Sequence, residues 1–241
     1  MAAVVRPLRA LALHGWRTNA ALMAVQAGRL QSVFGGEEGL SITYLNGPNV
    51  ASKAADPSLE KLIDGPFYEW WDANETPSGE QLYDGMPEAV AHVQAHISEC
   101  GPYDLLIGFS QGAMLATILT SLLEKPEHVG RPPFESMGGT VATEPWKLCV
   151  LVGGMEPRDH RLAELLSGEP LQTPSVHMRG EKDKLFELGA RLMGRYSDEG
   201  GRRLGIIHAG GHAFPRGREG EYEKLRDFAI ERGVLPPASN L

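Results

Sequence analysis

Apolar residues along this chain alternate between two spacings. Arg9 to Leu13 is a short apolar run that ends at His14-Gly15, and from Asn19 to Phe34 the residues Leu22, Val25, Leu30 and Val33 recur at helical intervals. The pattern predicts a strand and then a helix. Ser41 to Leu45 is β-branched and aromatic and stops at Asn46-Gly47-Pro48, which predicts a second strand closed by a turn. Met86, Ala89, Val90, Val93 and Ile97 predict an amphipathic helix over 86–100, with Pro87 tolerated in its first turn. A strand over Asp104–Gly108 and a helix over Gln111–Leu123 follow. Leu148–Val152, Ser175–Met178 and Arg203–Ile207 are three further short apolar runs, each trailed by a polar turn and a candidate helix. A last helix, about 219–232, puts Tyr222, Leu225, Phe228 and Ala229 on one side. Six strands alternating with helices predict an α/β fold, a mostly parallel six-stranded sheet with helices on both faces. Ligands in such a fold sit beyond the carboxyl ends of the strands.

Two stretches break the alternation. Residues 46–85 have no sustained period, contain Pro48, Pro57, Pro66 and Pro77, and hold Phe67, Tyr68, Trp70, Trp71 and Tyr83. So long an irregular connection inside a domain is uncommon and often functional, which predicts a rim or partial lid. Residues 125–146, which include Pro126, Pro132, Pro133, Gly138 and Gly139, read as loop. A different problem arises from Leu105 to Leu123, nineteen residues without a charge, which by hydropathy alone could be a membrane span. Gly108, Ser110, Gln111 and Gly112 cluster near its start and divide it into strand, tight turn and buried helix. No membrane span is expected.

Composition narrows the partners. The 241 residues suit a single domain over 1–241, and 29 Gly with 17 Pro stay below the disordered range. With 23 Lys and Arg against 31 Asp and Glu the formal charge is -8, so there is no basic footprint for nucleic acid. Two cysteines, Cys100 and Cys149, give neither a disulfide scaffold nor a C-x-x-C pair, which fits a reducing compartment, and a cytoplasmic location is expected. Arg6, Pro7 and Arg9 interrupt the apolar N-terminus, against a signal peptide.

The chemistry gathers in the predicted turns. Gly108-Phe109-Ser110-Gln111-Gly112 matches G-x-S-x-G, whose serine needs a strand before it, a helix after it and small residues two places to either side. A serine hydroxyl is a poor nucleophile at neutral pH and needs a base, itself oriented by an acid. In chain order Ser, then Asp or Glu, then His, Asp183 follows the strand SVHM and His212 follows LGII in Ala209-Gly210-Gly211-His212. Glu181 and Asp159 compete for the acid role. His208, attached to a strand end, reads as structural. His92 and His96 stand four apart on a helix without a third ligand, so no metal site is expected. Oxyanion donors would be backbone amides, of Gln111 after the serine and of Trp16 in the turn after the first strand. Trp70, Trp71, Met114, Met155 and Phe214 are candidates to line an apolar acyl pocket.

Together these residues resemble the FSH-type serine hydrolases, the family of the yeast FSH proteins and the human ovarian-cancer-associated protein, within the α/β-hydrolases. LALHGWRTNA is similar to that family's Leu-His-Gly opening, GPYDLLIGFSQGAMLATIL to its nucleophile block, TPSVHMRGEKDKL to its acid segment and HAGGHAFP to its Gly-Gly-His-x-x-Pro ending. The resemblance implies Ser110 as nucleophile, Asp183 as acid, His212 as base, and Trp16 and Gln111 as oxyanion amides. It implies an esterase or thioesterase that needs no cofactor, acting on a small acyl ester or thioester. An acyl carrier or a second copy of the chain is the macromolecular partner to consider. GFSQG also occurs in acyl-protein thioesterases and related carboxylesterases, so an acyl-protein thioesterase or lysophospholipase is the alternative, and a non-catalytic ligand-binding member of the fold is a third reading. Asn46-Gly47-Pro48-Asn49 departs from the family's Asp-Ala-Pro-His after the second strand, which bears on substrate preference.

Overall fold

A computed structural model describes residues 6–135 and 144–236. Residues 136–143 of the expected 125–146 loop lie outside the described residues, as do both ends of the chain. Six strands form the central sheet: β1 (Leu8–Leu13), β2 (Leu40–Leu45), β3 (Leu105–Phe109), β4 (Leu148–Val152), β5 (Ser175–Gly180) and β6 (Arg203–His208). Their order is β6-β5-β4-β3-β1-β2 and every neighbouring pair is parallel. The sheet order reverses between β1 and β3, so the turns after these strands open side by side.

Strand alternation divides the core into two layers. Leu11 and Leu13 of β1 point into the layer that holds α2 (Met86–Cys100) and α3 (Gln111–Glu124). Ala10 and Ala12 point into the other, against α1 (Ala20–Val33) and α6 (Glu221–Glu231), which pack on each other. Two short helices, α4 (Ala163–Leu166) and α5 (Phe186–Met193), complete the connections after β4 and β5. The α1 boundaries follow its sequence: Asn19 is the N-cap, its side chain accepting the Leu22 amide at 2.9 Å.

The uncharged stretch from Leu105 divides at Ser110. β3 is wholly buried, and α3 is buried from Gln111 through Leu122. A helix sunk on all sides in the protein has the hydropathy of a membrane segment without crossing one. No helix among the described residues is long and apolar enough to span a bilayer.

The segment expected to be irregular carries order of its own. Asn49–Val50 pairs with Tyr68–Glu69, and Asp72–Glu75 with Gln81–Asp84, both antiparallel. These ladders are too short, and too interrupted by proline, to leave a period in the sequence. Trp70 and Trp71 are buried beneath them. Fully burying a large apolar side chain contributes roughly 2 kcal/mol, so two neighbouring indoles hold this segment against the sheet as a wall.

Candidate active site

The serine turn is built by what its neighbours lack. Ser110 has φ 53° and ψ -115°, a conformation costly for a residue with a side chain. Its amide donates to the Val152 carbonyl of β4 at 2.9 Å, and its carbonyl starts α3 by accepting from Ala113 and Met114. A Cβ on Gly108 would lie 2.5 Å from the Ala113 Cα, and one on Gly112 would lie 2.1 Å from the Leu13 carbonyl oxygen. The two flanking glycines let strand and helix meet at so sharp an angle.

The acid and the imidazole come from two turns zipped together. The Glu181 amide donates to the His208 carbonyl at 2.9 Å and the Lys182 amide to the Gly210 carbonyl at 3.0 Å, extending β5–β6 pairing past the strand ends. Gly180 allows this, since a Cβ there would sit 2.2 Å from the Gly211 carbonyl oxygen. Asp183 and His212 thereby face each other: His212 Nδ1 lies 2.7 Å from Asp183 Oδ2, and His212 Nε2 lies 2.8 Å from Ser110 Oγ. The second carboxylate oxygen, Oδ1, accepts the Leu185 amide at 2.8 Å, which fixes the carboxylate plane. Phe109 packs on the imidazole with centroids 5.2 Å apart. Of the competing acids, Glu181 is exposed, while Asp159 is buried and taken up by Arg161 and the Tyr83 amide. Neither touches His212.

Trp16 and Gln111 border the same cleft as Ser110. Among the described residues, neither amide donates to a protein acceptor, because Gln111 opens α3 and Trp16 lies in the turn after β1. That turn is strained at Arg17, with φ 49°, and Arg17 is anchored by Glu69 at 2.8 Å and by its stack on the Trp16 ring. His14 holds the turn from inside. Its Nδ1 lies 2.7 Å from the Gly15 carbonyl oxygen and its Nε2 accepts the Gly47 amide at 2.9 Å, so the neutral ring donates once and accepts once.

Burial pulls the His14 imidazole down to about 4, against the Gly15 contact, and that of His177 to about 3. Both stay neutral as the pH falls, whereas the same histidines in the unfolded chain take up protons below about 6.5. Proton uptake then favours the unfolded state, so stability is full above this range and is lost as the pH falls from about 6.5 toward 4. The urea midpoint is expected to drop between pH 7 and pH 5, and a flat midpoint over that interval would refute the requirement for neutral imidazoles.

The cleft over Ser110 has a volume of about 710 Å³, within the usual range for small-molecule sites. Of the candidate pocket residues, Trp71, Met114 and Met155 lie on its lining. Trp70 and Phe214 do not. Trp70 is fully buried, stacked on His14 with its indole N–H donated to the His14 carbonyl, and so braces the cleft from beneath. Phe214 lies past His212, against Phe109 at 5.4 Å, and faces separate hollows. Sequence reasoning missed Tyr83, Leu185 and Arg158 on the lining and the work of the Gln111 side chain, which accepts the Trp70 amide at 3.1 Å and donates to the Trp71 carbonyl at 2.9 Å. Arg158 stands in the turn after β4, and the rule that ligands sit past strand ends could have flagged it.

No cluster of three or more His, Cys, Asp or Glu able to hold a metal occurs among the described residues. His92 contacts the Asn46 carbonyl and His96 the Tyr103 hydroxyl.

The family profile described as serine hydrolase (FSH1) matches residues 2–222. The chain belongs to the FSH1 serine hydrolases. As a member of that family it is an enzyme of the serine esterase kind, with the α/β-hydrolase fold. Among its FSH1-like relatives, the esterase OVCA2 of Xenopus tropicalis is 28% identical over 228 residues, 89% of each chain. A Schizosaccharomyces pombe protein named dihydrofolate reductase is 26% identical over 246 residues, 98% of this chain, and this chain spans 50% of that longer protein's length. The crystal structure of a carboxylesterase from Mesorhizobium loti superposes with a TM-score of 0.58 at 15% identity, covering 92% of this chain and 88% of the other. At that identity the likeness is one of fold.

Proposed function

We propose that this FSH1-family hydrolase cleaves carboxylic esters or thioesters of small acyl substrates through a Ser110–His212–Asp183 triad and an acyl-enzyme. The observation that carries the reading is the unbroken contact chain from Asp183 Oδ2 through both ring nitrogens of His212 to Ser110 Oγ, on the floor of an open cleft.

His212 Nε2 takes the Ser110 proton as Oγ attacks the acyl carbonyl, while Asp183 holds the other ring proton on Nδ1 and stabilises the imidazolium. The carbonyl electron pair moves onto oxygen, where the Trp16 and Gln111 amides receive it. A single oxyanion donor of this kind is worth about 3 kcal/mol in well-measured hydrolases. Collapse expels the alcohol or thiol, protonated by His212. Water, deprotonated by the same imidazole, then releases the acid and restores Ser110. Trp71, Met114 and Met155 give the cleft an apolar wall suited to an acyl chain.

The test pairs p-nitrophenyl esters and acyl thioesters of rising chain length with labelling by a neutral fluorophosphonate. Expected results are turnover of the ester series and one label per chain, on the peptide that carries Ser110. A label on another serine, or none together with no turnover, overturns the assignment.

A further inference from the structure

The charged residues in the turn after β4 are paired off with one exception. Glu156 is held by Arg195, and Asp159 by Arg161 and by the Tyr83 amide at 2.8 Å. Arg158, between them, forms no ion pair among the described residues, and it lines the cleft over Ser110. Its position is fixed from the backbone, since its amide donates to the Tyr83 hydroxyl at 2.8 Å and the Tyr83 ring stacks on Trp71 with centroids 5.4 Å apart. The carboxylate on the cleft lining, Asp56, belongs to the other wall: the neighbouring Ala55 amide is bonded to the Arg17 carbonyl in the turn after β1. The cleft is therefore polarised, with a free cation on the Tyr83 side, in a protein whose formal charge is -8.

Arg158 is exposed, at the edge of a largely apolar cleft, and an unpaired guanidinium so placed can recognise a carboxylate or phosphate by two parallel N–H donors. We propose that Arg158 docks an anionic group of the substrate, so that the enzyme prefers acyl esters or thioesters carrying a carboxylate or phosphate. This inference rests on the hydrolase reading above. The anion could be carried by the acyl chain, as an ω-carboxylate, or by the leaving group, as the phosphates of a thioester carrier. Arg158 recognises either by the same contact.

Two matched pairs distinguish these sources. The first compares the p-nitrophenyl monoester of glutaric acid with p-nitrophenyl valerate, and the second butyryl-CoA with the neutral butyryl thioester of N-acetylcysteamine. In at least one pair the anionic member is expected to have a kcat/KM about tenfold higher, as a charge-assisted hydrogen bond permits. That ratio is expected to fall to within about twofold of unity in Arg158→Gln and to shrink with added salt. Ratios near one for both pairs in the unmodified chain, or a preference that survives in Arg158→Gln, overturn the assignment. Because the readout is a ratio within one protein, a lower yield of folded variant does not alter it. Fluorophosphonate labelling is read alongside. Its absence from the unmodified chain together with no turnover refutes the hydrolase reading, whereas labelling with both ratios near one refutes only the role of Arg158.

Discussion

Replacing Ser110 with alanine is expected to abolish fluorophosphonate labelling and to lower ester turnover by about 10⁶-fold, the loss seen when a hydrolytic serine is removed from a complete triad. The imidazole 2.8 Å away would keep its carboxylate partner but have no hydroxyl to deprotonate. The fold should persist. The Ser110 contacts that organise the turn are made by its amide and carbonyl, and alanine keeps both. Thermal unfolding of Ser110→Ala at or above the midpoint of the unmodified chain would show that the loss is chemical, since residues held for function often cost stability. Turnover within tenfold of the unmodified enzyme would place the nucleophile elsewhere.

Asp183→Asn is expected to give the second largest effect, a fall in kcat of about 10⁴, as for the equivalent change in serine proteases. The reason is the direction of one hydrogen bond. Asp183 Oδ2 can only accept, so it keeps the ring proton on Nδ1 and leaves the Nε2 lone pair facing Ser110. An amide NH₂ at that position favours the opposite tautomer, with two donors confronting each other across the Ser110–His212 contact. Fluorophosphonate labelling should slow in parallel, since it requires the same deprotonation. Unchanged kcat in this variant would move the orienting role away from Asp183. The exposed carboxylate of Glu181 would then have to reach His212 by a rearrangement of its turn.

Much of this arrangement was legible in the sequence because the strand-ending turns are punctuated by glycine. Gly108, Gly112 and Gly180 mark places where backbone passes too close for a Cβ, Gly210 marks one where the His208 ring does, and Ser110, Asp183 and His212 stand near them. The buried strands were equally plain, since two-sided burial leaves continuous apolar runs such as Leu148–Val152. What the sequence could not convey was which aromatic residue faces the cleft. Trp70 and Trp71 are adjacent and alike in chemistry, yet the chain bends at Trp70, between the two short ladders, and one ring goes under the wall while the other reaches the cleft lining. Phe214 was misplaced for a related reason. Its proximity in sequence to His212 says nothing of the side on which the chain leaves the imidazole. Arg158 stayed hidden because a lone arginine in a loop acquires meaning only when its acidic neighbours are seen to be engaged elsewhere.

The Gln111 side chain has a consequence for how substrates enter. The residue whose main-chain N–H is proposed to receive the reacting oxygen uses its carboxamide as a latch on the main chain of Trp70 and Trp71. Swinging that stretch outward would strand both ends of a buried amide and loosen the ground under the nucleophile. Access is thus through a standing doorway rather than a hinged door, and selection among substrates falls to the shape and charge of the threshold.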